Sequence, residues 1–302
     1  MLISNRGKIN SRIYLSFAGF LPGFIIMGRD YALVDTGVPA TAPALYSAIT
    51  EALKEPERLR YVLLTHSHYD HCGGLSYLRR KLPHLRVIAS KRAAEILQKD
   101  EAIKFMNILS KEVEDSIEFQ KHYNGEDISI SKELMAVDMI VKEGDVIDLG
   151  EGVEIEVFET PGHTRCSVAF YMRPDKALFA GESVGAYAGE GMVLANYLSN
   201  YHEYMRSLDK LSSLNIEMLG LPHHGMLVGG EHIRRFFELS KKGAVTFRDE
   251  VVNMVKEGMS EEQMVDRLVN KFYVDMASLQ PKGAFVVNLK AMINVIKREM
   301  QN

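Results

Sequence analysis

The feature that most constrains this chain is a run of ten residues, Thr65-His66-Ser67-His68-Tyr69-Asp70-His71-Cys72-Gly73-Gly74, placed directly after the apolar stretch Tyr61 to Leu64. A short β-branched and aromatic stretch of that kind reads as a strand, and the residues after it as a loop at the strand's end. Three imidazoles and a carboxylate within six residues, in a loop where neighbouring side chains converge, are a ligand set for a borderline metal ion. Any one of these histidines alone reads as ordinary packing or surface polarity. Their joint spacing does not, because packing has no need of four donors so close together. The fold must therefore present a strand end to a metal.

The rest of the chain supplies layers around that strand end. Further short strands are expected at Arg86 to Ala89, Val153 to Phe158, Val168 to Met172 and Ala177 to Ala180, and helices at Ala42 to Lys54 and Leu75 to Leu82. With 302 residues the chain has room for two domains or one large α/β domain. Ile13 to Gly28 carries no charge, yet it is too short for a membrane span and is broken by Gly19, Pro22 and Gly23. It lacks a small-residue cleavage site, so it reads as two strands joined by a turn, with another strand at Tyr31 to Val34. Lys91 to about Lys142 reads as mostly helix with an Asn124-Gly125 turn, an insertion or lid over one end of the sheets.

After Gly230 the pattern turns helical. An amphipathic stretch runs from Glu231 to about Gly258, Ser260 with Gln263 forms a capping box that opens a helix to about Tyr273, and Ala284 to Met300 supports a third. The stripe Phe236, Phe237, Met254, Met264, Phe272 and Met276 reads first as core and second as the wall of an apolar substrate pocket. Thirty-six Lys and Arg against forty Asp and Glu leave a net charge of −4, with no basic excess to displace counterions, so nucleic acid is excluded as the principal partner. The two cysteines, Cys72 and Cys166, give no disulfide framework and fit a reducing cytoplasm. Buried filler suits each of them better than a nucleophile's role.

Four more segments carry a resemblance: Leu33-Val34-Asp35-Thr36-Gly37, Thr160-Pro161-Gly162-His163-Thr164, Ala180-Gly181-Glu182 and Leu221-Pro222-His223-His224-Gly225. With His66-x-His68-x-Asp70-His71 they stand in the order and spacing of the metallo-β-lactamase-fold superfamily, which the chain resembles over about its first 230 residues. The resemblance implies an α/β fold, a four-layer αβ/βα sandwich with a helical insertion (about 91–142) in a catalytic domain 1–230, and a helical C-terminal extension 231–302 covering the active site. It implies two divalent metal ions, zinc, iron or manganese: His66, His68 and His163 would hold one, Asp70, His71 and His224 the other, and Glu182 would bridge them. Asp35 would steady the ligands from behind, and Asp70 would also serve as the catalytic residue.

The activity so implied is hydrolysis of an ester, thioester or lactone of a small, partly apolar acyl substrate by a metal-bound hydroxide, by a chain that stays off membranes and could pair as a homodimer. Within the superfamily, Thr65 to Ser90 and the helical tail are most similar to the bacterial quinolone-signal response thioesterases. Alternative readings are a mononuclear nonhaem iron oxygenase of the persulfide-dioxygenase kind and a regulatory protein whose metal site is largely structural. The chain departs from the family pattern in three places. Glu182 stands where the family has aspartate, so the bridge must fold back, alter the metal spacing or bind one ion only. His223 stands where glycine is frequent and reads as surface or supporting structure, and Arg165-Cys166 replaces smaller residues.

Overall fold

The computed structural model describes residues 1–18, 21–53, 55–115, 125–188, 191–276 and 281–301, with the side chains of 17, 18 and 274–276 excepted. Gly19, Asn124 and the side chain of Met276 lie outside the described residues. Two seven-stranded sheets stack face to face. The first contains β2 (Gly7–Lys8), β3 (Ile13–Ala18), β4 (Leu21–Met27), β5 (Tyr31–Val34), β6 (Leu59–Leu63), β7 (Arg86–Ser90) and β8 (Met139–Val141), in that spatial order. The second is ordered β1 (Leu2–Ile3), β16 (Gly225–Val228), β15 (Met218–Leu221), β12 (Ala177–Phe179), β11 (Val168–Met172), β10 (Glu154–Glu159) and β9 (Val146–Asp148). A small ribbon, β13 (Ala186–Tyr187) with β14 (Val193–Leu194), stands apart from both.

Strand alternation explains the layering. Along β4, Phe24 and Ile26 face the second sheet, while Ile25 faces the helices behind the first; in β5, Ala32 and Val34 point inward and Leu33 outward. Both faces are covered, which is why Ile13 to Gly28 can do without charge. Between the sheets lie Ile13, Leu15, Leu63 and Ile88 from one side and Ile155, Val157, Phe170 and Phe179 from the other. Behind the first sheet pack α1 (Ala42–Ala52), α3 (Leu75–Lys81), α4 (Lys91–Leu97) and α5 (Asp100–Glu114), through Leu45, Leu78, Leu97 and Met106 among others, with the short α2 (Tyr69–Cys72) at the strand end. Behind the second pack α6 (Tyr201–Ser212), α7 (Gly230–Lys256), α8 (Glu261–Met276) and α9 (Lys282–Gln301). The architecture is the expected four-layer αβ/βα sandwich.

Two sequence features resolve in detail. The capping box forms as read: Ser260 N donates to Gln263 Oε1 at 2.9 Å and Gln263 N to Ser260 Oγ at 3.3 Å, so two amides at the start of α8 are satisfied. The tail's core is continuous with the second sheet, since Phe236, Phe247, Leu268 and Ile293 share one cluster with Leu178, Val184 and Leu219.

The expectation of a mostly helical 91–142 is corrected in its later part. Beyond Gly125 the described chain is irregular or extended, apart from one 3-10 turn (Glu133–Met135), and leads into β8, which pairs parallel with β7. Asp127-Ile128-Ser129-Ile130-Ser131 alternates at a period of two, burying Ile128 and Ile130, and the Asp127 carboxylate accepts from the Ser129 amide at 2.9 Å. That local bond competes with a helix.

Candidate metal centre

The donor side chains gather at one common edge of the sandwich, on loops and short helical turns that follow the strands. Asp35 follows β5, the His66 to His71 run follows β6, His163 follows β10, Glu182 sits on a 3-10 turn (Gly181–Val184) after β12, and His223 follows β15. Parallel strands β5, β6 and β7 open their carboxyl ends here, the usual place for a site in such sheets. Two glycines let the loops close in. A Cβ at Gly181, where φ is +50°, would stand 2.6 Å from Thr65 Oγ1, and one at Gly162, where φ is +129°, would stand 2.2 Å from the Tyr204 backbone.

Two donor groups result. His66, His68, His163 and Glu182 form one, Asp70, His71 and Glu182 the other, and within each group the ligand atoms lie within 4.8 Å of one another. His163 Nε2 is 3.2 Å from His66 Nε2 and 3.2 Å from His68 Nδ1. Nitrogens bound tetrahedrally at about 2.0–2.1 Å around one ion stand about 3.3 Å apart, so three imidazoles are already spaced as ligands of one centre. Glu182 Oε2 is the atom common to both groups: it is 2.9 Å from His163 Nε2, 3.8 Å from His66 Nε2, 3.9 Å from His68 Nδ1 and 4.0 Å from His71 Nε2. The donor chemistry and spacing fit a divalent ion.

The outer atoms of these rings are tied down, which fixes the tautomers. Asp35 accepts from Thr65 N at 2.8 Å, from Thr65 Oγ1 at 2.8 Å and from His71 Nδ1 at 2.8 Å. Thr65 Oγ1 in turn accepts from His66 Nδ1 at 3.0 Å, and the Asn196 carbonyl accepts from His163 Nδ1 at 2.6 Å. With the outer nitrogens held in this way, His66, His71 and His163 each turn Nε2 inward. The buried Nε2 of His71 has no hydrogen-bond partner, as a metal ligand would not. Asp35 holds its place at φ +56°, a conformation short polar residues tolerate and one that marks functional sites.

Burial, with the neighbouring His71, His68 and His163, holds His66 well below the ordinary imidazole range. Burial also opposes charge at His71, but the Asp35 carboxylate outweighs it and lifts the pKa to about 9. Burial alone would raise Glu182; the facing His163 reverses that and keeps the carboxyl well below the usual carboxylate range.

The predicted ligand His224 is corrected. Its Nε2 donates to the Tyr187 carbonyl at 2.6 Å and lies in neither donor group. His223, which also lies outside both donor groups, is the one turned toward Glu182, buried, with Nε2 3.3 Å from Glu182 Oε1 and its ring centroid 6.5 Å from that of His71. The cause is register: β15 and β16 pair Leu221 with Gly225, leaving a three-residue loop in which neighbouring side chains diverge, so one position decides which imidazole turns in. Asn196 is a site residue the sequence reading missed. Its side-chain Nδ2 donates to Glu182 Oε1 at 2.9 Å, which holds that oxygen in place while Oε2 faces His66, His68, His71 and His163. The extra methylene of Glu182 is thereby absorbed, one oxygen clamped and the other presented. No motif marks Asn196; its only signal is a polar residue in the apolar stretch Val193 to Tyr197.

The centre opens into a cleft of about 120 Å³. His68, Asp70 and Glu182 line its floor, Phe105 and Leu109 of α5 one wall, and Ala284, Val287 and Ala291 of α9 the other. Cys72 and Cys166 are buried and unpaired, and burial pushes the Cys72 thiol far up, which suits filler. Among the described residues, no helix is long and apolar enough to cross a membrane.

Known proteins agree with this architecture. Residues 23–223 match the profile of the metallo-beta-lactamase superfamily. The chain is 25% identical over 276 residues to a beta-lactamase-like protein 2 homolog of Caenorhabditis elegans, covering 89% of this chain and 73% of that one. It is 27% identical over 238 residues to an atrochrysone carboxyl ACP thioesterase of Aspergillus fumigatus, covering 78% of this chain but 44% of the relative's length. In fold it is similar to a metallo-beta-lactamase family protein of Thermus thermophilus, with a TM-score of 0.65, 19% identity, and 97% and 95% of the two chains covered. The match extends through every loop that carries a donor, and on it the chain belongs to the metallo-β-lactamase superfamily.

Proposed function

We propose that this chain is a metal-dependent hydrolase of a small, partly apolar acyl ester or thioester. One observation carries the reading: Glu182 Oε2 is shared by two donor groups at the floor of a cleft whose walls are apolar. His66, His68 and His163 would hold one ion, Asp70, His71 and His223 the second, with Glu182 between them. A bound divalent ion lowers the pKa of its water toward neutrality and polarises a carbonyl oxygen. The chain's own residues do the rest. Asp35, Thr65 and Asn196 hold the outer nitrogens of the rings so that Nε2 faces the centre, and the apolar walls exclude water from the acyl group. Asp70, at the cleft floor beside His68, takes the proton from the attacking water and passes it to the leaving thiol or alcohol.

A thioester is supported by the likeness of Thr65 to Ser90 to the quinolone-signal response thioesterases and by the relative named as a carrier-protein thioesterase. The two unpaired thiols support a reducing, cytoplasmic setting. The test is elemental analysis of protein purified without added metal, followed by a panel of esters, thioesters and lactones. We expect about two equivalents of zinc, iron or manganese and hydrolysis abolished by a chelator. A single iron with oxygen uptake would establish the oxygenase reading instead, and metal-replete protein inert on the whole panel would establish the regulatory one.

A further inference from the structure

The cleft is the first of three adjoining voids. Across Asn288 of α9, which lines both, lies a chamber of about 30 Å³ lined by Ala195, Phe247, Phe285, Leu289 and Met292. Through Leu194, Ala195, Phe247 and Phe272 that chamber adjoins another of about 140 Å³, reached from the surface beside Thr246 and Lys242 of α7. Polar groups gather at the two ends. At the inner end stand Asn288 and Asn196, whose amide donates to Glu182; at the outer end stand Thr246 and Lys242. The length between them is aliphatic and aromatic. The middle chamber has room for about two water molecules, which suits a slender chain and excludes a ring system.

We propose that the two inner chambers are the acyl-chain pocket, so that the substrate class is a medium-length, unbranched acyl thioester or ester. This rests on the hydrolase reading above. The scissile carbonyl lies over the histidines and Glu182, and the chain runs past Asn288 between the β14 loop and the tail helices. The thiol or alcohol portion leaves toward the open side of the cleft, between Phe105 and Val287, both exposed. Water adds its oxygen to the acyl carbon, the carbon–sulfur or carbon–oxygen bond breaks, and the proton goes to the leaving group, so no oxidant or co-reactant is required.

The experiment uses the full-length, metal-replete protein and p-nitrophenyl esters from acetyl to dodecanoyl, with the matching N-acetylcysteamine thioesters. Each methylene that leaves water should raise kcat/KM about fourfold until the chambers are full, and the rise should then stop. Leu289→Phe, which narrows the middle chamber, should cut the octanoyl-to-acetyl ratio at least tenfold, and Met292→Ala should move the preferred length upward. Thr246→Trp, placed from the surface side, should lower the ratio for the longest chains without burying a new group in the core. Metal content and unfolding midpoint of each variant, matched to the parent, separate pocket effects from misfolding.

In parallel, calorimetric titration with octanoate as the probe reads the pocket without turnover. Loss of probe binding in Leu289→Phe and Thr246→Trp supports the pocket even if no ester is cleaved, an outcome that would sink the hydrolase reading alone. A flat length profile in an active enzyme, or ratios and probe binding unmoved by all three variants, overturns the proposal.

Discussion

The two halves of the metal centre are built by opposite means. His66, His68, Asp70 and His71 come from one short loop, and a single carboxylate, Asp35, anchors it through three hydrogen bonds at 2.8 Å. His163, Glu182 and His223 come from three separate loops of the second sheet, and what aligns them is Asn196 together with a hairpin loop. The first half is specified by nearest neighbours in sequence. The second is specified by packing, and so by residues far from any motif. Disturbing one anchor should therefore damage the first half as a unit, whereas the second half should fail piece by piece.

The largest effect is expected at Asp35. Asp35→Ala removes the partner of both Thr65 and His71, and metal affinity should fall close to 100-fold, read by competition with a chromophoric chelator. Affinity within threefold of the parent would show that the first half does not depend on a common anchor. Next come the paired variants His223→Ala and His224→Ala. The first should cost about tenfold or more in affinity for the second equivalent and the second less than about twofold, since His224 is spent on the Tyr187 carbonyl. The reverse order would restore His224 as the ligand.

Asn196→Ala should cost less than His223→Ala and affect both equivalents alike, because it frees one oxygen of Glu182 while His163 keeps its backbone acceptor. Loss confined to one equivalent would contradict the clamp. The smallest effect is in pH. A proton on His71 Nε2 competes with the ion, and Asp35 raises that pKa from 6.5 to about 9, so affinity should climb across this interval and level off above it. In Asp35→Asn the levelling should move back toward about 6.5. A pH-independent affinity between 6.5 and 9 would mean that His71 is not a ligand.

This contrast also sets what the sequence could disclose. The six-residue donor cluster is legible because ligand chemistry and strand-end position coincide, and the layering is legible because strands and helices alternate with clear periods. The uncharged stretch from Ile13 onward reads correctly as paired strands because both its faces are buried. His223 and His224 could not be told apart, since their roles depend on where Leu221 pairs across a hairpin, a tertiary fact. Asn196 was silent for the same reason: its partners stand 14 and 33 residues away in sequence. The 125–141 segment misled because its charged surroundings hid the alternation of Ile128 and Ile130.

The shared core between the tail helices and the second sheet has a consequence for biosynthesis. The outer face of that sheet, with Leu178 and Leu219, is covered by α6 and by helices that the ribosome makes only after Gly230, and β1 pairs with β16 at Leu2 and Leu227. While the chain is being made, the first sheet and its helices can close, but the second sheet waits with the part of its apolar face beyond α6 bare. That interval is the chain's window of greatest exposure to chaperones and to aggregation. Lowering the rate of synthesis across the tail should lengthen it and reduce the soluble yield, without changing the stability of the molecules that finish.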